Sequence, residues 1–197
     1  MTRKYELKKR AEKQEETRQR IVYAAIELHE TVGPARTTIS AIAERAGVER
    51  LTVYRHFPDE RAIFGACSSQ WELQHPLPDP AEWSSIPDPH ERLRTGLGAL
   101  YDYYQDAWPM LFSVLRDAPQ VPEMSEVVQD YAQRAQRIVD SLSPSPSPDD
   151  EQRAAIQMAA DPFAWNALSR SGLSTDRAAA LMTRMIVRGS AEESPRN

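Results

Sequence analysis

The chain reads as all-α, and three observations predict that class. Apolar residues recur three and four apart in successive blocks: Ile21, Ala25, Leu28 and Val32 in one, Met124, Val127, Val128, Tyr131, Ala135, Ile138 and Leu142 in another. That is the stripe of an amphipathic helix, and the period-two alternation of a half-buried strand is scarce. The 15 prolines fall mostly between these blocks, where they end one helix and space the next. At 197 residues, 41% of them hydrophobic, the chain can bury a core as one domain or two small ones.

Other classes are excluded early. No apolar run is long enough to span a bilayer, and the opening MTRKYELKKRAEKQEE is charged throughout with no secretory pattern, so no membrane partner is expected. Cys67 is the single cysteine, which rules out a disulfide framework and a cysteine-based zinc site and points to a reducing, cytoplasmic compartment. The four histidines lie singly, without metal-ligand spacing, so neither metal nor cofactor is expected. The net charge of −5 hides an asymmetry: residues 1–66 hold 13 Lys/Arg against 10 Asp/Glu, and the remainder 11 against 19. A basic end on an acidic body confines phosphate-attracting potential to one part of the molecule.

Taken in order, residues 2–16 form a charged arm in which four glutamates interrupt Arg3, Lys4, Lys8, Lys9, Arg10 and Lys13. It reads either as a DNA-touching extension or as a solvated helix end, and the glutamates favour the second. A first helix is expected over residues 15–33, closed by Gly33-Pro34, with His29 beside its apolar stripe as a structural residue. The stretch TTISAIAERAGVERLTVYRHFPDER, residues 37–61, follows as two short helices joined at Gly47, where a sharp turn requires positive φ. Thr37 or Thr38 caps the first of them. Val48, Val53 and Phe57 give the second an apolar underside, which leaves Leu51 outward and out of place facing water. That is the arrangement of a helix-turn-helix whose second helix, about residues 49–57, enters the major groove.

Residues 18–64 resemble the N-terminal domain of the TetR family of transcriptional regulators, through RQRIVYAAIELHETVG, TTISAIAERAGV and LTVYRHFPDERAIF. Tyr54, His56 and Phe57, followed by Pro58, are the most family-specific part. Arg50 and Arg55 could each pair with guanine O6 and N7, with Arg50 rotated nearer the buried side, and Thr52 could touch a thymine methyl or phosphate. The resemblance implies that Tyr54 and His56 hold phosphate, that Thr38 starts a helix near phosphate and that Ser40 reaches toward a base. Arg36 just upstream is a further phosphate candidate, and Leu51 belongs to the same outward face. The family usually has lysine two residues after the proline; here Glu60 stands there, and Arg61 is the candidate substitute.

Beyond it, helix 4 is expected over residues 59–74, then a proline-rich connection over 75–90, a helix over 88–106, a separate short helix in DAWPMLFSVLRDAP, and one over 122–142. After the SPSPSPDD linker come helices over 149–171, kinked at Pro162 with Asp161 either a local cap, the favoured reading, or a buried anchor, and over 174–189. The resemblance implies a small, largely apolar effector held near Tyr101, Tyr104, Trp108, Phe112 and Tyr131, and a homodimer through the last two helices. Aromatic stripes at helical spacing are equally the mark of a core. The domain plan is thus a charged arm (1–16), a helix-turn-helix domain (17–62), an effector-binding and dimerisation domain (63–190) and a disordered tail (191–197).

The expected function is a non-enzymatic, ligand-responsive repressor that binds a palindromic double-stranded DNA operator as a homodimer. The alternative is a small helical ligand-binding protein or enzyme with the N-terminal motif as scaffold. No nucleophile–base pairing, metal spacing or phosphate-cradling glycine loop supports it.

Overall fold

The computed structural model describes residues 2–145 and 147–192, and among them every regular element is helical. Of the tail expected at residues 191–197, residues 193–197 lie outside the described residues, and residues 191–192 instead end the last helix. The helices are α1 (Thr2–Thr31), α2 (Ile39–Ala46), α3 (Arg50–His56), α4 (Glu60–Gln74), α5 (Ala81–Ser84), α6 (Pro89–Asp117), α7 (Ser125–Ser141), α8 (Asp150–Ala159), α9 (Pro162–Arg170) and α10 (Thr175–Glu192). Short 3₁₀ turns occupy Pro34–Arg36, Ala118–Gln120 and Pro122–Met124.

The chain forms two compact units. One comprises Met1–His75 with Trp108–Asp130, the other Pro76–Ala107 with Tyr131–Asn197, so α6 and α7 each supply residues to both. In the first unit, Ile21, Val22 and Ala25 of α1 close on Ile39, Ile42 and Ala43 of α2, Val53 and Phe57 around α3, and Ile63 and Cys67 of α4. Cys67 is a core thiol whose S–H points to the Val22 carbonyl oxygen at 3.7 Å, and burial pushes its pKa up to about 12. His29 is buried too, stacked on Phe64 with ring centroids 5.1 Å apart.

In the second unit, Leu93, Leu97, Leu100 and Tyr101 of α6 form a buried row, and Trp83 of the small α5 is fully buried with its indole N–H donating to Ser141 Oγ at 3.1 Å. Gly96 is needed for this packing, because a Cβ there would overlap Leu142. Ile156, Ala159 and Trp165 of α8 and α9 and Ala178, Met182 and Ile186 of α10 supply further buried residues.

Four element boundaries differ from the sequence reading, each for a physical reason. Helix α1 starts at Thr2, not near residue 15, and takes in the charged segment; Lys8 and Glu12 pair at i,i+4 on it. The helix expected over 88–106 and the separate short helix expected in DAWPMLFSVLRDAP are one 29-residue helix with Pro109 inside it. Proline removes one ladder bond and crowds the preceding turn, at a cost of about 3 kcal/mol. Here Gln105 and Pro109 are both exposed, so the freed carbonyl lies on the wet side, while buried Tyr104, Ala107, Met110 and Leu111 hold the helix on either side. At Pro162 the chain does the reverse and divides into α8 and α9. The Asp161 carboxylate accepts N–H bonds from Phe163 at 2.8 Å and Ala164 at 3.0 Å, so a new cap replaces the expected kink. Finally, α7 opens at Ser125, because residues 122–124 form a 3₁₀ turn behind Pro122.

Candidate nucleic-acid interface

The interface candidate is built on α2, its turn and α3. Thr38 is extended (φ −110°) and its Oγ1 accepts the Ala41 N–H at 3.1 Å, which satisfies one of the open donors at the start of α2. Thr37 instead donates its hydroxyl to the Gly33 carbonyl at 2.9 Å, so the capping choice between the two threonines falls on Thr38. At the other end Gly47 sits in the left-handed region (φ 64°, ψ 41°). Its N–H donates to Glu44 O at 3.1 Å and the Val48 N–H to Ala43 O at 3.0 Å, the paired bonds of a Schellman closure. Arg20 reaches from α1 to donate to the Ala46 carbonyl at 3.2 Å, a cation on the open carbonyl end of α2.

Helix α3 has only seven residues and is anchored by Val53, which has no exposed surface, and by Phe57 just past its end, under the Arg18 guanidinium at 5.1 Å. With those two residues inward, the other faces are committed outward. Leu51 is 59% exposed and Tyr54 42%, Arg50 and Arg55 are exposed, and Thr52 and His56 are half-buried. Arg50 corrects the sequence reading, which rotated it toward the buried side. It stands in the open, its guanidinium 5.8 Å from the Tyr54 ring and its Nη2 3.4 Å from the Tyr54 hydroxyl. The i,i+4 relation places both on one face, and the stack outcompetes the turn toward the core.

The remaining candidates lie around this face. Ser40 is exposed in the first turn of α2. Arg36 is exposed and its Nε donates to the Val32 carbonyl at 2.8 Å, so part of its guanidinium closes α1. Arg61 is exposed but engaged: its Nη1 lies 2.6 Å from the Glu126 carboxylate, both side chains more than half exposed. Such a pair contributes little stability and can exchange for another anion. Glu60 beside it occupies the first turn of α4, behind an Asp59 cap that accepts the Ala62 N–H at 2.8 Å.

The five aromatic candidates for an effector are divided between the units. Tyr101 and Tyr104 are buried in the second, and their hydroxyls donate to the Ala159 carbonyl at 2.7 Å and the Ala160 carbonyl at 2.6 Å. They tie α6 to the end of α8, and burial raises both phenol pKa values well above their usual range. Tyr131 is half-buried and hydrogen-bonded to Tyr103, and desolvation pushes its pKa up to about 12. Trp108 and Phe112 belong to the first unit, with ring centroids 5.5 Å apart and the Arg116 guanidinium 5.6 Å from the Phe112 ring. Among the described residues no group of three His, Cys, Asp or Glu side chains is placed to hold a metal ion.

What the sequence reading missed is the support beneath the face. Arg20 acts across 26 residues and Asp117 reaches the Ala35 N–H across 82, and neither separation leaves a local signal.

Residues 21–67 match the family model described as bacterial regulatory proteins, tetR family. The HTH-type transcriptional regulator SrpR of Pseudomonas putida is 41% identical over 70 residues, 36% of this chain and 32% of that protein. The chain thus matches about a third of SrpR's length. A TetR-like transcriptional regulator from Rhodococcus sp. RHA1 has a solved structure that superposes with a TM-score of 0.65 at 19% identity, covering 90% of this chain and 97% of that one. NalD of Pseudomonas aeruginosa, the secondary repressor of the MexAB-OprM multidrug efflux pump, superposes at 0.56 with 23% identity, over 89% of this chain and 96% of NalD. At such identities the superpositions establish the fold.

Proposed function

Because residues 21–67 match the tetR family model, we propose that the chain is a TetR-type, ligand-responsive repressor that binds a palindromic operator as a homodimer. One observation carries the reading: α3 buries Val53 completely and turns Arg50, Leu51, Tyr54 and Arg55 to solvent together. A seven-residue helix gains little from such a face in water, whereas a major groove offers guanine acceptors to arginine, phosphate to the tyrosine hydroxyl and thymine methyls to Leu51. Thr38, Ser40, Thr52, His56 and Arg36 complete the proposed interface. Arg61 joins it only by exchanging Glu126 for phosphate. The charged segment of α1 remains a candidate for contact with adjacent DNA, and its glutamates weigh against it.

The dimer places two recognition helices about 34–36 Å apart, on successive major grooves. Its proposed interface lies on the last helices, where Met158 (52% exposed), Phe163 (46%) and Met185 (55%) present apolar surface. The proposed effector is small and largely apolar. Of the five aromatic candidates, Phe112 is exposed and Trp108 and Tyr131 are half-buried. An effector releases DNA only if it binds the released form better.

Selection of bound duplexes from a random pool tests the reading. Enrichment of a palindrome by the wild-type chain, broadened or lost in Tyr54→Ala and Arg55→Ala, is the expected result, with affinity falling steeply as salt rises. An intact dimer that enriches no duplex at low salt refutes it.

A further inference from the structure

Asp117 is a buried carboxylate, 3% exposed, at the last position of α6. Its partners are specific. Arg116 donates from Nε to Oδ1 at 2.6 Å and from Nη2 to Oδ2 at 3.0 Å, and the Ala35 N–H donates to Oδ2 at 3.1 Å. One turn earlier, Ser113 donates its hydroxyl to the Glu30 carbonyl at 3.4 Å. The end of α6 is thereby bonded to the end of α1 and to the turn that leads into α2.

That turn is stiff. Gly33 has φ +93°, and its carbonyl accepts both the Arg36 N–H at 3.2 Å and the Thr37 hydroxyl at 2.9 Å, immediately before the Thr38 cap. Gly33 also has no room for a side chain, since a Cβ would overlap Arg116 and Asp117. A displacement of the Asp117 carboxylate is therefore delivered to Ala35 and Gly33, and from them to the first residues of α2. On its other side, Asp117 is held by Arg116, whose guanidinium lies over Phe112, which in turn packs on Trp108.

We infer that Asp117 is a positioning residue: it sets where α2 begins, and so how the α2–α3 pair is presented, according to the state of the Trp108–Phe112–Arg116 row on α6. Its consequence for DNA rests on the regulator reading above; the positional claim does not. A carboxylate with three donors is strongly oriented and costly to leave with fewer, which gives the turn one preferred position. Removing a donor, or drawing the guanidinium away along the Phe112 ring, leaves the turn free to shift.

Hydrogen exchange by mass spectrometry on the full chain tests this, comparing wild type with Asp117→Asn, Arg116→Gln and Arg116→Lys, alongside binding of the duplex recovered by selection. Asp117→Asn should speed exchange over residues 33–42 by about tenfold or more, the scale of a charge-assisted hydrogen bond. Exchange over α8–α10 should be unchanged, and duplex binding should weaken about five- to tenfold. Arg116→Gln should act in the same direction, and Arg116→Lys, which keeps the charge without the fork, should fall between it and wild type. Unchanged exchange over 33–42 in both Asp117→Asn and Arg116→Gln overturns the inference. So does equal acceleration throughout the chain, which marks a merely structural carboxylate, or faster local exchange with duplex binding unaltered. If wild type holds no duplex, the regulator reading falls and the exchange comparison alone decides the position of the turn.

Discussion

Val53 and Tyr54 are neighbours in α3, yet the structure assigns them opposite consequences. Val53 has no exposed surface among Ile42, Ala43 and Phe57 in the core that joins α1, α2 and α4. Val53→Ala removes two buried methyl groups, about 1.6 kcal/mol of transfer free energy, and leaves a void costing about 1 kcal/mol more. Alanine's better helix propensity returns about 0.6 kcal/mol. The net loss is about 2 kcal/mol, which for a chain of this size lowers the thermal midpoint by roughly 4–8 °C. Tyr54 is 42% exposed and its hydroxyl is 3.4 Å from Arg50, so Tyr54→Ala should change stability by no more than about 0.5 kcal/mol. Its effect belongs to duplex binding, where loss of a phosphate hydrogen bond and the Arg50 stack should weaken affinity about tenfold. Circular dichroism melts and duplex titrations at 20 °C separate the two. A Tyr54→Ala variant that melts as early as Val53→Ala, or a Val53→Ala variant that melts with wild type, would refute the rotation of α3 and with it the proposed face.

The buried His29 and the exposed Met185 each set a further outcome. Burial lowers the His29 pKa from 6.5 to about 4, so on acidification the unfolded chain takes up a proton near pH 6.5 that the folded chain refuses until about pH 4. Stability should therefore fall by about 3 kcal/mol between those limits, and His29→Phe should flatten that part of the urea-midpoint profile; an identical slope in the variant contradicts the assignment. Met185→Glu places a carboxylate in the proposed dimer surface and should raise the dimer dissociation constant about 100-fold in sedimentation velocity, with helicity retained; an unaltered dimer moves the interface elsewhere.

The helix-turn-helix was legible because its determinants act within one or two turns. Gly47 supplies the left-handed residue of the turn, Thr38 caps α2 three residues ahead of the N–H it accepts, and the Val53–Phe57 spacing is one turn of helix. Asp161 beside Pro162 is equally local, although whether it bends one helix or starts a second depends on what the flanking segments pack against. The outward face of α3 was readable by subtraction once Val53 and Phe57 were placed inward. Arg50 was misplaced because the rotation of its backbone said nothing of the Tyr54 ring that its side chain could stack on.

The aromatic residues show the limit from the other side. A tyrosine at a helical spacing looks the same whether it lines a cavity or binds a backbone carbonyl 58 residues away, as Tyr101 does on Ala159. Pro109 inside α6 is similar: local propensity ends the helix there, and burial on both sides continues it.

What the sequence by itself determined is therefore the set of elements whose signals lie within about two turns: the helical class, the Gly47 turn, a cap at Thr37 or Thr38 and the buried line of α3. What only the tertiary structure decided is which carboxylate meets which backbone N–H across the fold. Asp117 is one of 29 acidic residues, and nothing adjacent to it distinguishes it. Its role comes from a helix end brought against Ala35, 82 residues away, where burial turns an ordinary acceptor into one that must keep its donors.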